Sequence, residues 1–129
     1  MPCPCLSGLP YAECCGRFHT GIAAPTAEAL MRSRYSAFAI GDAAYLLATW
    51  HPSTRPDDLE LDESIRWYRL DIIDRVGGGP LDVAGIVEFE AFYKGSERGS
   101  QRERSSFVRE DGRWFYVSVV PSPTDVRQG

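Results

Sequence analysis

The sequence predicts a small α+β protein in which two or three helices come first and pack on one face of a curved antiparallel sheet. Three observations carry this. All four cysteines crowd into "MPCPCLSGLPYAECC"; apolar residues recur with a helical period between positions 26 and 50; and from Trp67 onward the period falls to two. A length of 129 residues suits one domain, and 43% hydrophobic with 25% charged residues is the balance of a folded globular chain. No apolar run approaches the ~20 residues that span a bilayer, and no basic region followed by an apolar stretch opens the chain, so a cytosolic protein is expected.

In a reducing compartment, clustered thiols point to a metal more than to disulfides. Cys3, Cys5, Cys14 and Cys15 follow the spacing C-x-C-x8-C-C. Between the pairs, Gly8 and Pro10 let the chain reverse so that the two pairs meet. Four thiolates then close a soft tetrahedral site for zinc or iron, with no position open for substrate and hence a structural role. Two other readings compete. Disulfides are disfavoured by the strained ring a Cys14–Cys15 bond would need, and a redox pair would normally stand as C-x-x-C at a helix start.

The same stretch resembles the SEC-C motif, known from the carboxyl-terminal tail of the Sec translocase motor protein SecA. Cys3, Pro4, Cys5, Ser7, Gly8, Tyr11, Cys14 and Cys15 stand in its register. The resemblance implies a bound zinc, with iron as the alternative, on the four cysteines, and a surface for a protein partner. Leu6 replaces the usual glycine, and Leu9 with Pro10 stands where lysines are typical. Contact with RNA is therefore not implied, and this copy suits folding onto its own domain or onto a protein.

Thr26 is a candidate N-cap, and Leu30, Met31, Arg34, Tyr35 and Phe38 form one stripe of a first helix that should end near Gly41. Asp42 can cap a second, carrying Tyr45, Leu46, Thr49 and Trp50 until Pro52 stops it. A polar loop runs from Ser53 to Glu63. "WYRLDIIDR" then alternates with Tyr68, Leu70 and Ile72 on one face, and "VAGIVEFEAFY" with Val83, Val87, Phe89 and Ala91 against Glu88 and Glu90. Asp111 and Gly112 mark a hairpin between "QRERSSFVR" and "WFYVSVV". Pro121, Pro123 and a polar tail follow.

This order is similar to the NTF2-like fold, and "LMRSRYSAF", "DAAYLLATWHPS", "RERSSF" and "DGRWFY" resemble the YchJ family of small bacterial proteins. The resemblance implies a SEC-C motif over residues 1–20 joined to an NTF2-like domain over 21–129, with a pocket between helices and sheet. Some members carry a second motif at the carboxyl end; "SPTDVRQG" shows none, so partner binding attributed to that copy is not carried over.

Residues matching the family's stretches and able to line a pocket are Arg32, Arg34, Tyr35, Trp50, His51, Glu103, Trp114 and Tyr116. No catalytic residue is assigned, because an NTF2-like fold hosts enzymes and pure binders alike. A base such as Glu103 or His51 facing Tyr35 or Tyr116 would be needed for chemistry. The plainer readings are His51 capping a helix end and Trp50, Trp114 and Tyr116 filling core. Arg32 and Arg34 lie two apart, about 200° around a helix, so one must turn inward; its expected partner is Glu103, with an anion in the pocket as the second reading. Net charge is −4, and Arg98, Arg102, Arg104 and Arg109 are interleaved with Glu97, Glu103 and Glu110. That pattern argues for local pairing on a solvated strand or hairpin face, with a phosphate-binding patch as the second reading, and against nucleic acid as a partner. The leading expectation is a zinc-binding adaptor linked to secretion or chaperone pathways; the alternative is a small-molecule binder or enzyme that uses the cavity.

Overall fold

The structure, a computed structural model, describes residues 3–5 and 7–120, so the readings of Leu6 and of the tail from Pro121 lie outside the described residues. Thr26 opens the central helix: its backbone is extended and its hydroxyl accepts from the Ala29 N–H at 3.0 Å. This helix follows a short one, α1 (Cys15–His19), and is labelled α2 (Ala27–Ile40). Gly41 closes α2 in the left-handed region at φ 81°, where its N–H reaches the Ala37 carbonyl. Asp42 then caps α3 (Ala43–Ala48) by accepting from the Tyr45 N–H at 3.1 Å.

The second expected helix ends earlier than Pro52. From Thr49 the backbone pairs with a strand instead: the Tyr116 N–H donates to the Thr49 carbonyl at 2.8 Å, and the His51 N–H donates to the Tyr116 carbonyl at 2.7 Å. Two backbone bonds made there outweigh another helical turn.

Strands β1 (Arg66–Gly77), β2 (Ala84–Lys94), β3 (Arg98–Glu110) and β4 (Arg113–Val120) form an antiparallel meander in sequence order. Asp111 and Gly112, at φ 52° and 79°, make the β3–β4 turn, in the conformation that matches strand twist. In β1 the simple alternation fails. Trp67 pairs with Tyr93 and Arg69 with Phe92, leaving Tyr68 as a bulge, and a second irregularity falls between Ile72 and Asp74. The bulge puts Trp67 and Leu70 against the core, and turns Tyr68, expected to share the Leu70 face, outward to 41% exposure. Val83 also departs from expectation: it precedes β2 and is exposed, while Val87, Phe89 and Ala91 are buried.

The charges of β3 pair across strands, not along their own. Glu88 is buried on the outer face, holding Arg102 Nε at 2.9 Å and Arg104 Nη1 at 3.0 Å, and Arg104 reaches Asp74 at 3.2 Å. Its bond to Arg104 keeps the Asp74 carboxyl below the usual range. No helix among the described residues is long and apolar enough to cross a membrane.

Helix α2 is covered on two sides. Leu30, Met31 and Tyr35 join Leu70, Val87, Phe89, Phe107 and Trp114 in the core, and the Ser36 hydroxyl and Ser33 carbonyl face the amino-terminal segment. The start of α2 also meets the β1–β2 connection, where the Ala27 N–H donates to the Gly78 carbonyl at 2.9 Å. A Cβ on Gly85 would stand 2.5 Å from the Gly78 Cα, so backbone fills the space that side chains take elsewhere. Gly85→Ala should therefore part the connection and lower stability by about 1–3 kcal/mol. Urea unfolding should show a reduced midpoint with an unchanged slope; an unaltered midpoint would contradict this packing.

Candidate functional site

Two places carry chemistry, the cysteine cluster and a cavity between α2 and the sheet. In the first, the Cys3 N–H donates to the Leu9 carbonyl at 3.0 Å, closing the loop between the cysteine pairs, and Gly8 takes φ 92°. A 3₁₀ turn (Tyr11–Glu13) then delivers Cys14 and Cys15 to the start of α1. Gly16 leaves room for Tyr11, since a Cβ there would lie 2.7 Å from the Tyr11 carbonyl.

All four sulfurs are buried and lie within 4.8 Å of one another. Cys5 Sγ is 3.5 Å from Cys14 Sγ, which is 4.0 Å from Cys15 Sγ. Metal–sulfur bonds of about 2.3 Å imply tetrahedral sulfur separations of about 3.8 Å, so the donor set fits a four-thiolate ion. None of the four cysteines is in a disulfide. A bond from the Cys15 thiol pulls Cys5 down to about 4, and the same bond pushes Cys15 up, as expected of crowded sulfurs that cannot all lose protons unless a cation joins them.

This cluster is fastened to α2. Cys3 Sγ contacts Ser36 Oγ at 3.5 Å, and Arg32 donates from Nη1 to the Cys5 carbonyl at 3.1 Å while its Nε pairs with Glu28 at 2.8 Å. His19 Nε2 donates to the Ser33 carbonyl at 2.8 Å, which leaves Nδ1 to accept from the Tyr11 hydroxyl. His19 is not among the residues the sequence marks, because its partners, Tyr11 and the Ser33 carbonyl, meet only in the fold. Arg17 donates to the Cys14 carbonyl at 3.3 Å, so two guanidinium groups border a site that four thiolates and one divalent ion would leave negative.

The cavity holds about 230 Å³. Of the eight pocket candidates, Arg34, Tyr35, Trp50, Glu103 and Tyr116 line it, together with Met31, Phe38, Trp67, Phe89, Ala91, Gln101 and Ser105, which were not singled out as pocket residues. Gln101 and Ser105 flank Glu103 at strand spacing, a signal that was available. Three candidates lie elsewhere. Arg32 turns to the cysteine cluster. His51 sits beyond α3, with Nδ1 2.7 Å from Ser53 Oγ and Nε2 2.9 Å from Glu110, because the pairing with Tyr116 carries it to the β3–β4 hairpin. Trp114 is core, its indole N–H donating to the Pro25 carbonyl at 3.3 Å.

Arg34 is the inward arginine, 4% exposed, but its partner is not Glu103. Its Nη1 donates to the Leu46 carbonyl at 2.8 Å and the Thr49 hydroxyl at 2.7 Å, and its Cζ lies 4.7 Å from the Tyr116 ring centre and 5.4 Å from that of Trp50. The end of α3 supplies acceptors nearer than any strand carboxylate. Burial lowers Arg34 to about 10, so it remains a cation at neutral pH. Burial alone raises the Glu103 carboxyl, and burial followed by the Glu103 charge raises Tyr116. Burial pushes Tyr35 up to about 12; the Arg69 backbone opposes that shift without meeting hydrogen-bond geometry, and the hydroxyl has no partner.

Comparison with known proteins matches both the cysteine segment and the domain that follows it. The family model described as "YchJ, middle NTF2-like domain" matches residues 26–119, and that of the SEC-C motif matches residues 2–17. A UPF0225 protein of Corynebacterium glutamicum is 58% identical over 115 residues, covering 88% of this chain and 92% of the relative. One from Streptomyces coelicolor is 57% identical over 117 residues, covering 90% and 92%. The solution structure of a SEC-C motif containing protein from Rhodopseudomonas palustris superposes with a TM-score of 0.80 at 34% identity, covering 95% of this chain and 99% of that one. A crystal structure of a SEC-C motif containing protein from Psychrobacter arcticus gives 0.75 at 28%, covering 93% and 83%. With its domain, its motif and nearly its whole length matched, the chain belongs to the YchJ family of UPF0225 proteins, a SEC-C motif joined to an NTF2-like domain.

Proposed function

We propose that this is a cytosolic zinc-binding adaptor, in which Cys3, Cys5, Cys14 and Cys15 hold a structural ion and the loop between them meets a protein partner. The observation that carries the reading is the burial of four thiols within 4.8 Å of one another, at the point where the amino-terminal segment locks onto α2. Zinc supplies a four-way crosslink there without redox chemistry; iron fits the same donors less simply. The motif's use in the SecA tail supports a partner in secretion or chaperone pathways. Ser7, Gly8, Leu9 and Pro10 supply the exposed surface, with Leu9 48% open.

Protein purified without chelator should hold about one zinc per chain by elemental analysis. Replacing Cys14 and Cys15 by serine should abolish that metal and lower the melting temperature by about 10 °C or more, because structural zinc contributes folding energy directly. A metal-free protein from reducing buffers with an unchanged melting point would end this reading. The adaptor role is tested separately by Leu9→Glu, which should keep the metal and lose whatever protein the wild type captures and the Cys14→Ser/Cys15→Ser variant does not. Identical capture by all three would remove the knuckle from recognition.

A second reading, a small ligand in the cavity, is favoured by the partnerless Tyr35 hydroxyl and by a Glu103 carboxyl that burial holds above its usual range. A raised carboxyl contributes stability that is complete below the ordinary glutamate range and is lost as pH rises through the raised value. Glu103→Gln should therefore melt higher than wild type at neutral pH, and the difference should close below about pH 4. Thermal melts across pH read this directly; no difference at neutrality would mean that Glu103 is fully solvated.

A further inference from the structure

Aromatic rings from Trp50, Trp67 and Tyr116 wall the cavity, yet its polar groups do not satisfy one another. Tyr35 is 2% exposed and its hydroxyl is buried without a hydrogen-bond partner. Arg34 commits Nη1 to α3 and its end, and no acceptor among the described residues meets its Nε or Nη2. Glu103 lines the same space and makes no ion pair or hydrogen bond with either. Of these groups the Tyr35 hydroxyl is the fully buried one without a partner, and a polar group left open in a cavity wall is commonly completed by a bound molecule.

Resting on the cavity reading above, we propose that this cavity binds a small, planar, uncharged molecule of the amide or lactam class, its carbonyl oxygen facing Arg34 and its N–H facing Glu103. The charges decide the class. The cavity wall carries one cation, Arg34, and one carboxyl group, Glu103, so a carboxylate would gain the arginine and confront Glu103, while an ammonium group would gain Glu103 and confront the arginine. A neutral molecule with an acceptor beside a donor meets both without a like-charge contact. The ring walls favour a flat body, and size agrees: a cavity of about 150 Å³ admits benzene, so 230 Å³ admits one ring with a polar group.

The test uses three probes of one shape, benzamide, benzoate and benzylammonium, titrated to about 10 mM into the full-length metal-loaded protein, a range that suits ligands this small. Binding is read from tryptophan fluorescence and from indole N–H signals in NMR spectra. Wild type should bind benzamide at least about tenfold more tightly than either charged probe, and Glu103→Gln should shift the preference toward benzoate by about tenfold, since it removes the opposing charge. Benzoate or benzylammonium binding most tightly to wild type would overturn the amide assignment and leave the cavity reading standing. Equal preference in wild type and Glu103→Gln would also overturn it. If no probe moves any tryptophan signal, the cavity reading fails and the assignment fails with it.

Discussion

The middle of helix α2 has almost no solvent side, and the rest of the protein is arranged around that constraint. From Leu30 to Ala37 every position except Arg32 is buried. A helix enclosed in this way must be apolar or must satisfy its polar groups locally, since a buried polar atom without a partner costs about 1–3 kcal/mol. The solutions are short-range. Ser33 bonds the Leu30 carbonyl and the Tyr45 hydroxyl, Arg34 takes the buried Leu46 carbonyl at the end of α3, and Arg32 spans Glu28 and the Cys5 carbonyl.

The cysteine knuckle is the lid on the second side of that helix. Its four cysteines belong to the same buried cluster as Leu30 and Val87, and Tyr11, His19 and Arg32 tie its backbone to α2. An ion held by the four thiols would link metal binding to domain stability, because it would order the segment that packs on α2 beside Ser33 and Ser36. The same attachment leaves the loop from Ser7 to Pro10 exposed, together with Ala12, Glu13 and Arg17.

On the sheet side the arrangement differs. The bulge at Tyr68 turns Trp67 to the inner face of the sheet, where the layers enclose space that side chains do not fill. Polar groups next to the knuckle find partners, whereas here the buried Tyr35 hydroxyl has none, and Arg34 and Glu103 line the same volume. The outer face of the same sheet closes its own charges through Glu88, Arg102 and Arg104, so the unsatisfied groups are confined to the inner side.

Local chemistry made much of this legible in the sequence. Thr26, Gly41, Asp42 and the Asp111–Gly112 turn bound their elements because capping and left-handed turns depend on neighbouring residues alone. The cysteine spacing was equally readable, since a ligand set is written in residue types. What followed from tertiary structure was direction. The divergence of Arg32 and Arg34 was foreseeable from helical geometry, but not that one would serve the knuckle and the other the end of α3. His51 left the pocket for Glu110, and Tyr68 exchanged faces with Trp67, because strand pairing, absent from any local pattern, set where each backbone ran. By itself the sequence determined the order of elements and the thiol site; packing of α2 between sheet and knuckle decided which polar groups found partners and which were left facing the cavity.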